Sequence, residues 1–212
     1  MAGGSEELVL TMTGSRSEAE QGADQRESAQ LLKKAKAGDA SAFKQIIIQH
    51  QRQVLMTALR LLGSLELAQD ASQEVFLRLY KYLHKHSDTR KFPPWLYRVT
   101  VNVCRDLNRR RQKNSMLSLD ELQHNGSLGE VADSTDLELT LTRAEQRDIV
   151  AKALKTLSGK EREALVLRDI QGLPTKTVAR ILGSSEATIR SQVSTARVKI
   201  KRFAEHFLGR KS

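Results

Sequence analysis

The chain is expected to be all-α, two small helical domains joined by an acidic linker. Three observations predict this. Apolar residues recur at three- and four-residue spacing through much of residues 30–112 and 143–207, and no β-rich run of useful length interrupts them. Aromatic residues make up only 4% of the 212, so Leu, Ile, Val and Ala must fill the core, which suits small helical bundles. Between the two periodic stretches, residues 113–142 hold Asn, Ser, Gly and six carboxylates against one lysine, the composition of a linker.

Residues 1–28 are rich in Glu, Gln, Gly and Ser, with one apolar patch at Leu8–Leu10, and read as a flexible tail. A first domain then spans 29–112. A short helix runs through Gln30–Ala37 and stops at Gly38, a residue suited to a helix C-terminus. Asp39 can cap a second helix carrying Phe43, Ile46, Ile47, Val54, Leu55, Ala58, Leu59 and Leu62, which ends near Gly63. A third starts after Ser64 and runs to about Leu83, with Ala68, Ala71, Val75, Leu79 and Tyr82 at helical spacing. The polar stretch "HKHSDTRKFPP" breaks the pattern, its prolines suit a helix start, and a fourth helix follows from Trp95 to about Arg111. The second domain spans 143–212, with helices expected near 143–157, 160–170, 175–182 and 185–207.

Charge is distributed in blocks. Residues 29–112 carry 16 basic and 6 acidic side chains, and residues 143–212 carry 16 and 7. Two strongly basic domains flanking an acidic segment favour a polyphosphate partner, because each phosphate neutralised releases counterions. Cys104 is the one cysteine, which excludes an internal disulfide and a multi-cysteine zinc site; it lies in an apolar run and reads as a buried thiol. No stretch of about 18 apolar residues is present to span a membrane, and the N-terminus has neither a basic leader nor an apolar signal core, so a cytoplasmic protein without membrane insertion is expected.

The stretch "ARILGSSEATIRSQ", residues 179–192, carries the most specific local signal. Ile189, Val193, Ala196, Ile200 and Phe203 fall on one narrow helical face, and Val178, Ala179, Ile181 and Leu182 supply the facing side. Ala179 is small where two helices cross, Gly183 permits a sharp turn, and Ser184 or Ser185 can cap the second helix. A small residue, a glycine four later and an aliphatic six beyond that is the spacing a helix-turn-helix requires. Arg190, Ser191, Ser194 and Lys201 point away from the core, and Arg197, Lys199, Lys201 and Arg202 continue a basic flank suited to phosphates. In the first domain, Arg98, Asn102, Arg105 and Arg109 share one face of the 95–111 helix, opposite Leu96, Val99, Val103 and Leu107. Arginines in line with an asparagine suit a phosphate backbone and a base edge.

The segments "LGSLELAQDASQEVFLRLYKYL", "FPPWLYRVTVNVCRDLNRRR" and "LSGKEREALVLRDIQGLPTKTVARILGSSEATIRSQVSTARVKIK", in this order, resemble a bacterial extracytoplasmic-function (ECF) RNA polymerase sigma factor of the sigma-70 family, over about residues 30–112 and 143–205. The resemblance implies that the first domain is like region two, which binds the clamp helices of core RNA polymerase and melts the minus-ten element. It implies that the second is like region four, which reads the minus-thirty-five element in duplex promoter DNA. It implies a non-enzymatic protein without a cofactor, and an anti-sigma factor as a further partner. Carried over residue by residue, Asp70, Gln73, Glu74 and Leu77 match the polymerase-facing part of "DASQEVFL". Asn102 with Arg98, Arg105 and Arg109 matches the minus-ten face, and Arg190 with Ser191 matches the duplex-reading pair. The loop 84–91, with His86, Ser87 and Asp88, matches the pocket that captures a flipped minus-ten base, and the acidic linker matches a segment that threads the polymerase's RNA path.

Some positions depart from the family pattern: His86 where an aromatic is frequent, Pro93 and Pro94 before the Trp-Leu pair, Ser194 and Thr195 on the reading helix, and Lys176 where an acid is common. They bear on promoter sequence rather than on class. Trp95 opens a helix, where its ring can cover the core. The main alternative, a stand-alone helix-turn-helix regulator, accounts for residues 143–212 but leaves 64–111 unexplained. A nuclease would need clustered carboxylates for metal, and Asp120, Glu121, Asp133 and Asp136 lie in an irregular linker without support from His or a Gly-rich loop. His84 and His86 without a third ligand do not make a metal site.

Overall fold

The computed structural model describes residues 29–83, 92–117 and 148–209, and no strand occurs among them. Helix α1 spans residues 29–36 and ends where Gly38 takes a left-handed φ of 94°. Asp39 then starts α2 (Ala40–Leu62): its carboxylate accepts from the backbone N–H of Ser41 at 2.9 Å and of Ala42 at 3.0 Å, groups the helix itself leaves unpaired. Gly63, again left-handed, closes α2 by donating to the Leu59 carbonyl at 2.8 Å. Ser64 caps α3 (Leu65–Tyr82) through its hydroxyl. Of the stripe expected from spacing, Ala68, Ala71, Val75 and Leu79 are fully buried, whereas Tyr82, at the end of the helix, is exposed.

Helix α4 (Phe92–Leu117) starts three residues before the expected Trp95 and continues past Arg111. Pro93 and Pro94 occupy its first turn, where a missing N–H costs nothing and the fixed φ is already helical. The "RQK" that follows Arg110 contains good helix formers and gives no stop. Five residues assigned to the linker, 113–117, are therefore helical.

Helix α4 also buries more of its circumference than the sequence suggests. Phe92, Leu96, Thr100 and Val103 form one buried face; Tyr97, Val101 and Cys104, rotated by about a quarter turn, form another. Val99 and Leu107, expected in the core, are only half-buried.

In the C-terminal part, α5 spans 148–155. Ser158 and Glu161 form a reciprocal capping box at the start of α6 (Gly159–Leu165): the Glu161 N–H donates to the Ser158 hydroxyl at 3.4 Å, and the Ser158 N–H donates to the Glu161 carboxylate at 2.8 Å. The helix runs on as a single π turn, Val166–Ile170, and Gly172 leaves it at φ 69°. Helix α7 (Thr175–Leu182) and α8 (Glu186–Gly209) complete the chain. Gly183 adopts φ 66°, ψ 42° between them, and Ser185, of the two serines considered, is the cap, accepting from the Thr188 N–H at 3.1 Å. Val178, Ala179 and Ile181 pack with Ile189, Val193 and Ala196, all buried, as a helix-turn-helix needs.

The two halves do not stand apart. Their buried side chains form one apolar cluster from Leu32 to Ala196. The second buried face of α4 is what meets the C-terminal half, and α4 packs directly on α7.

Candidate nucleic-acid interface

Three surfaces carry the residues singled out by sequence. The first is the exposed side of α8. Its second and third turns present Arg190, Ser191 and Ser194 to solvent. A helix of this kind offers its N-terminal side chains to base edges when it enters a major groove. The Arg190 guanidinium donates to Glu186, one turn earlier, at 3.1 Å and stays 67% exposed, so it is oriented yet available. Lys201 lies further along, at 3.9 Å from Glu205.

Arg197 is placed differently from expectation. Its Nε and Nη2 donate to the two carboxylate oxygens of Asp169, both at 2.8 Å, and this pairing raises its pKa. Lys199 likewise donates to both oxygens of Glu161, at 2.9 and 2.8 Å. These two pairs fasten α8 to the α6 unit.

The second surface is the polar side of α4. Arg98, Asn102 and Arg109 are exposed, on neighbouring turns of one face. Arg105 belongs to that run but is turned toward the C-terminal half: its Nε and Nη2 donate to Glu163 at 2.8 and 2.5 Å. Glu163 raises the Arg105 pKa chiefly by accepting these bonds. The same carboxylate lies near Cys104, whose thiol is pushed up to about 12, mostly by burial, and so stays protonated at neutral pH. Trp95 is half-buried and stacks on buried Phe92 with centroids 6.0 Å apart, consistent with packing over the core.

The third surface is the outer face of α3. Asp70, Gln73 and Leu77 are exposed and Glu74 is half-exposed, opposite the buried stripe. Leu77 is 65% and Tyr80 70% exposed, an apolar pair the sequence reading did not single out in full. Tyr80 sits edge-on to Phe43 at 5.2 Å, which fixes its ring. The i, i+3 spacing from Leu77 to Tyr80 on a face lacking core partners is the signal that could have found it. Glu74 is held by Arg78 at 2.6 Å.

Sequence reasoning also missed the residues joining the two halves. The Tyr97 hydroxyl donates to the Gln171 side-chain carbonyl at 2.8 Å; the Gln171 amide donates to the Thr57 hydroxyl at 3.1 Å; Thr57 donates to the Gln53 carbonyl at 2.7 Å. Arg162 spreads its guanidinium over three backbone carbonyls: Leu154 at 2.9 Å, Leu157 at 3.1 Å and Leu61, across the junction, at 3.1 Å.

The loop residues His84, His86, Ser87, Asp88 and Arg90, the tail 1–28 and linker residues 118–142, including Asp120, Glu121, Asp133 and Asp136, lie outside the described residues. Among the described residues, no group of three or more His, Cys, Asp or Glu could hold a metal ion, and no helix is long and apolar enough to cross a membrane.

Two family models match the chain, sigma-70 region 2 over residues 46–114 and sigma-70 region 4 over residues 147–200. The ECF RNA polymerase sigma factor SigM of Mycobacterium tuberculosis is 31% identical over 85% of this chain and 86% of its own length. RNA polymerase sigma-H factor of Pseudomonas aeruginosa is 26% identical over 87% of this chain and 97% of its own. Among solved structures, the sigma factor RpoE of Bartonella quintana, crystallised with the anti-sigma factor NepR, superposes with a TM-score of 0.64 at 23% identity. The match covers 77% of this chain and 96% of that one, and shows a shared fold. With Arg190 exposed on the second helix of a helix-turn-helix, an exposed arginine–asparagine face on α4 and relatives matched over nearly their whole length, the chain belongs to the ECF sigma factors of the sigma-70 family.

Proposed function

We propose that this chain, as a promoter-directing sigma factor, divides its work among the three surfaces. The outer face of α3, with Asp70, Gln73, Glu74 and Leu77, binds core RNA polymerase, and the exposed Tyr80 extends that contact. The α4 face of Arg98, Asn102, Arg105 and Arg109 holds the minus-ten strand, with His86, Ser87 and Asp88 of the 84–91 loop capturing a flipped base. The N-terminal half of α8 enters the major groove at the minus-thirty-five element, where Arg190 and Ser191 address base edges, and Ser194, Lys201 and Arg197 the backbone.

The observation that carries this reading is the pairing of two features in one chain. Arg190 is exposed and pre-oriented near the start of a helix capped by Ser185. Leu77 and Tyr80 form a separate exposed apolar pair, with Glu74 one turn before Leu77. A stand-alone regulator accounts for the first and has no use for the second. The protein contributes specificity and the polymerase the chemistry, so no catalytic residue or cofactor is assigned. It works where promoter DNA and polymerase are, in the cytoplasm. An anti-sigma factor is its third partner, as RpoE has in NepR.

Transcription in vitro from a genomic library by core polymerase, with and without this protein, is the test. New, discrete start sites that need both components support the reading. Tight footprints on duplex DNA without polymerase, and no added transcripts, would refute it.

A further inference from the structure

An open groove of about 390 Å³ lies between the end of α1, the turn into α2 and the last turns of α3. Ala35, Gly38, Phe43 and Tyr80 line it, together with Lys36 and Lys81. Tyr80 is held edge-on to Phe43 at 5.2 Å yet is 70% exposed, so a large ring stands oriented at the groove with most of its surface in water. A Cβ on Gly38 would meet nothing within 4 Å, so the turn leaves that side of the groove clear. Asp39 is the one carboxylate in the lining, and it is committed to the start of α2, where it accepts from the Ser41 and Ala42 N–H groups. Among the described residues, no carboxylate forms an ion pair with Lys36 or Lys81. An apolar segment that carries negative charge matches this surface on both counts.

The chain's own N-terminal tail contains such a segment. Residues 1–28 hold six acidic and two basic side chains, and their one run of three large apolar residues, Leu8–Leu10, follows directly on Glu6 and Glu7. We infer that Glu6–Leu10 docks in this groove, with Leu8, Val9 and Leu10 against Phe43 and Tyr80 and the two carboxylates beside Lys36 and Lys81. The tether suits the site. The 18 residues between Leu10 and Ala29 have a root-mean-square span of about 24 Å, and the groove lies at the far end of α1, about 12 Å from where the tail joins it. A matched tether of this kind supplies an effective concentration in the millimolar range, so a segment of about millimolar intrinsic affinity fills the groove roughly half the time. The consequence for transcription rests on the assignment of the outer face of α3 to core polymerase. Tyr80 borders that face, so polymerase must displace the docked tail, and freeing the groove raises core affinity about twofold.

Paramagnetic relaxation in the full-length protein tests the docking. Thr13→Cys places a nitroxide label just beyond the apolar run. Cys104, the one native cysteine, is buried with its thiol pushed up to about 12, so the label goes to position 13. The readout is the loss of backbone amide signal at Gly38, Ala40 and Lys81 around the groove, with Asn102 on α4 and Ser194 on α8 as distant references. Glu6→Lys with Glu7→Lys reverses the charge of the segment, and Lys36→Glu with Lys81→Glu reverses that of the groove. The two pairs combined restore complementarity with opposite signs. Leu8→Ser with Leu10→Ser removes the apolar contact and leaves every charge in place. The tail substitutions lie outside the packed helices, and Lys36 and Lys81 are not core residues, so the fold is kept throughout.

With the native tail and groove, the Gly38, Ala40 and Lys81 signals should fall to about half or less, and Asn102 and Ser194 should keep theirs. Each single charge reversal should return the groove signals toward full intensity, the combined reversal should bleach them again, and the serine variant should free them. Bleaching at Asn102 or Ser194 instead puts the tail on the arginine faces and overturns the inference. So does an absence of bleaching at the groove, or bleaching that neither charge reversal relieves. The consequence is measured by titrating core polymerase. Leu8→Ser with Leu10→Ser should bind core about twofold more tightly than the wild type, and unchanged affinity refutes the covering of the α3 face. The relaxation measurement contains no polymerase or DNA, so failure of the sigma reading in the library assay is distinguishable from failure of the docking.

Discussion

Replacing Arg162 tests how the two domains are joined. Its guanidinium satisfies Leu154 and Leu157, near the end of α5, and Leu61, near the end of α2, with bonds of 2.9, 3.1 and 3.1 Å. Terminal carbonyls have no partner within their own helix, and a cation there also meets the negative end of the helix dipole. Burial draws the arginine pKa down, yet the group stays charged at any ordinary pH. Arg162→Met keeps the apolar stem and removes all three donors. Bonds from a charged donor are worth about 1.5–3 kcal/mol each, but these carbonyls sit at helix ends where water can replace part of the loss, so about 1 kcal/mol each is the working figure. The total, about 3 kcal/mol, lowers Tm by about 6–12 °C for a chain of this size. Arg162→Lys keeps the charge but offers one compact ammonium where three divergent acceptors need a planar fork, so it should recover about a third of the loss. Thermal unfolding followed by circular dichroism, with two-state fits, is the assay. A fall in Tm below about 3 °C for the methionine variant, or a lysine variant equal to wild type, would refute the three-carbonyl account.

Arg190→Ala should reduce discrimination at the minus-thirty-five element by about 1–3 kcal/mol while leaving affinity for core polymerase unchanged, read from transcription on promoter variants and from core-binding titrations. Leu77→Glu should weaken core binding at least tenfold and barely move Tm, since Leu77 is 65% exposed and contributes little to the fold; native-gel assembly with core measures it. Lys199 and the Ser158 backbone hold the Glu161 carboxyl below the ordinary carboxylate range. Its folded pKa is lower than its unfolded one, so the stability it adds is present above the unfolded value and is lost as pH falls through the folded value. Glu161→Gln should therefore flatten the acid limb of the urea midpoint as pH falls below the ordinary glutamate value of about 4.3, and an unaltered limb would remove Glu161 from that role.

Much of the fold was legible because its signals are local. Ala68, Ala71, Val75 and Leu79 repeat at helical spacing and are all fully buried. Asp39, Ser64 and Gly63 stand where helix ends need them and act there. The turn at Gly183 and the α8 core face follow from residues within one another's reach along a single segment. The start of α4 was misplaced because Pro93 and Pro94 were read as lying ahead of the helix, when the first turn accepts them. The second buried face of α4 was written in the run Val99–Cys104, whose apolar residues cover two sides of a helix. One stripe was assigned to the core, and the neighbour that covers the other begins beyond residue 148.

The arginines show where sequence reading stops. Arg190, Arg197, Arg105 and Arg162 are one residue type in one basic chain, and periodicity places three of them on outward faces. What separates their roles is the acceptor. For Arg190 it is Glu186, four residues away, and a helical spacing rule finds it. For Arg197 it is Asp169, 28 residues away; for Arg105, Glu163 at 58; for Arg162, the Leu61 carbonyl at 101. No local pattern encodes those partners, because they exist only once the helices have packed. A count of basic residues therefore overstates the charge this chain offers to DNA. Arg105 and Arg197 each give two parallel donors to a carboxylate, so that fork is shared with an acid and only their remaining N–H groups face water. The cations that answer DNA without such competition are those with weak or local partners, Arg190 and Lys201 on α8 and Arg98 and Arg109 on α4. Sequence fixes which face a side chain takes, whereas its availability on that face is a property of the assembled fold.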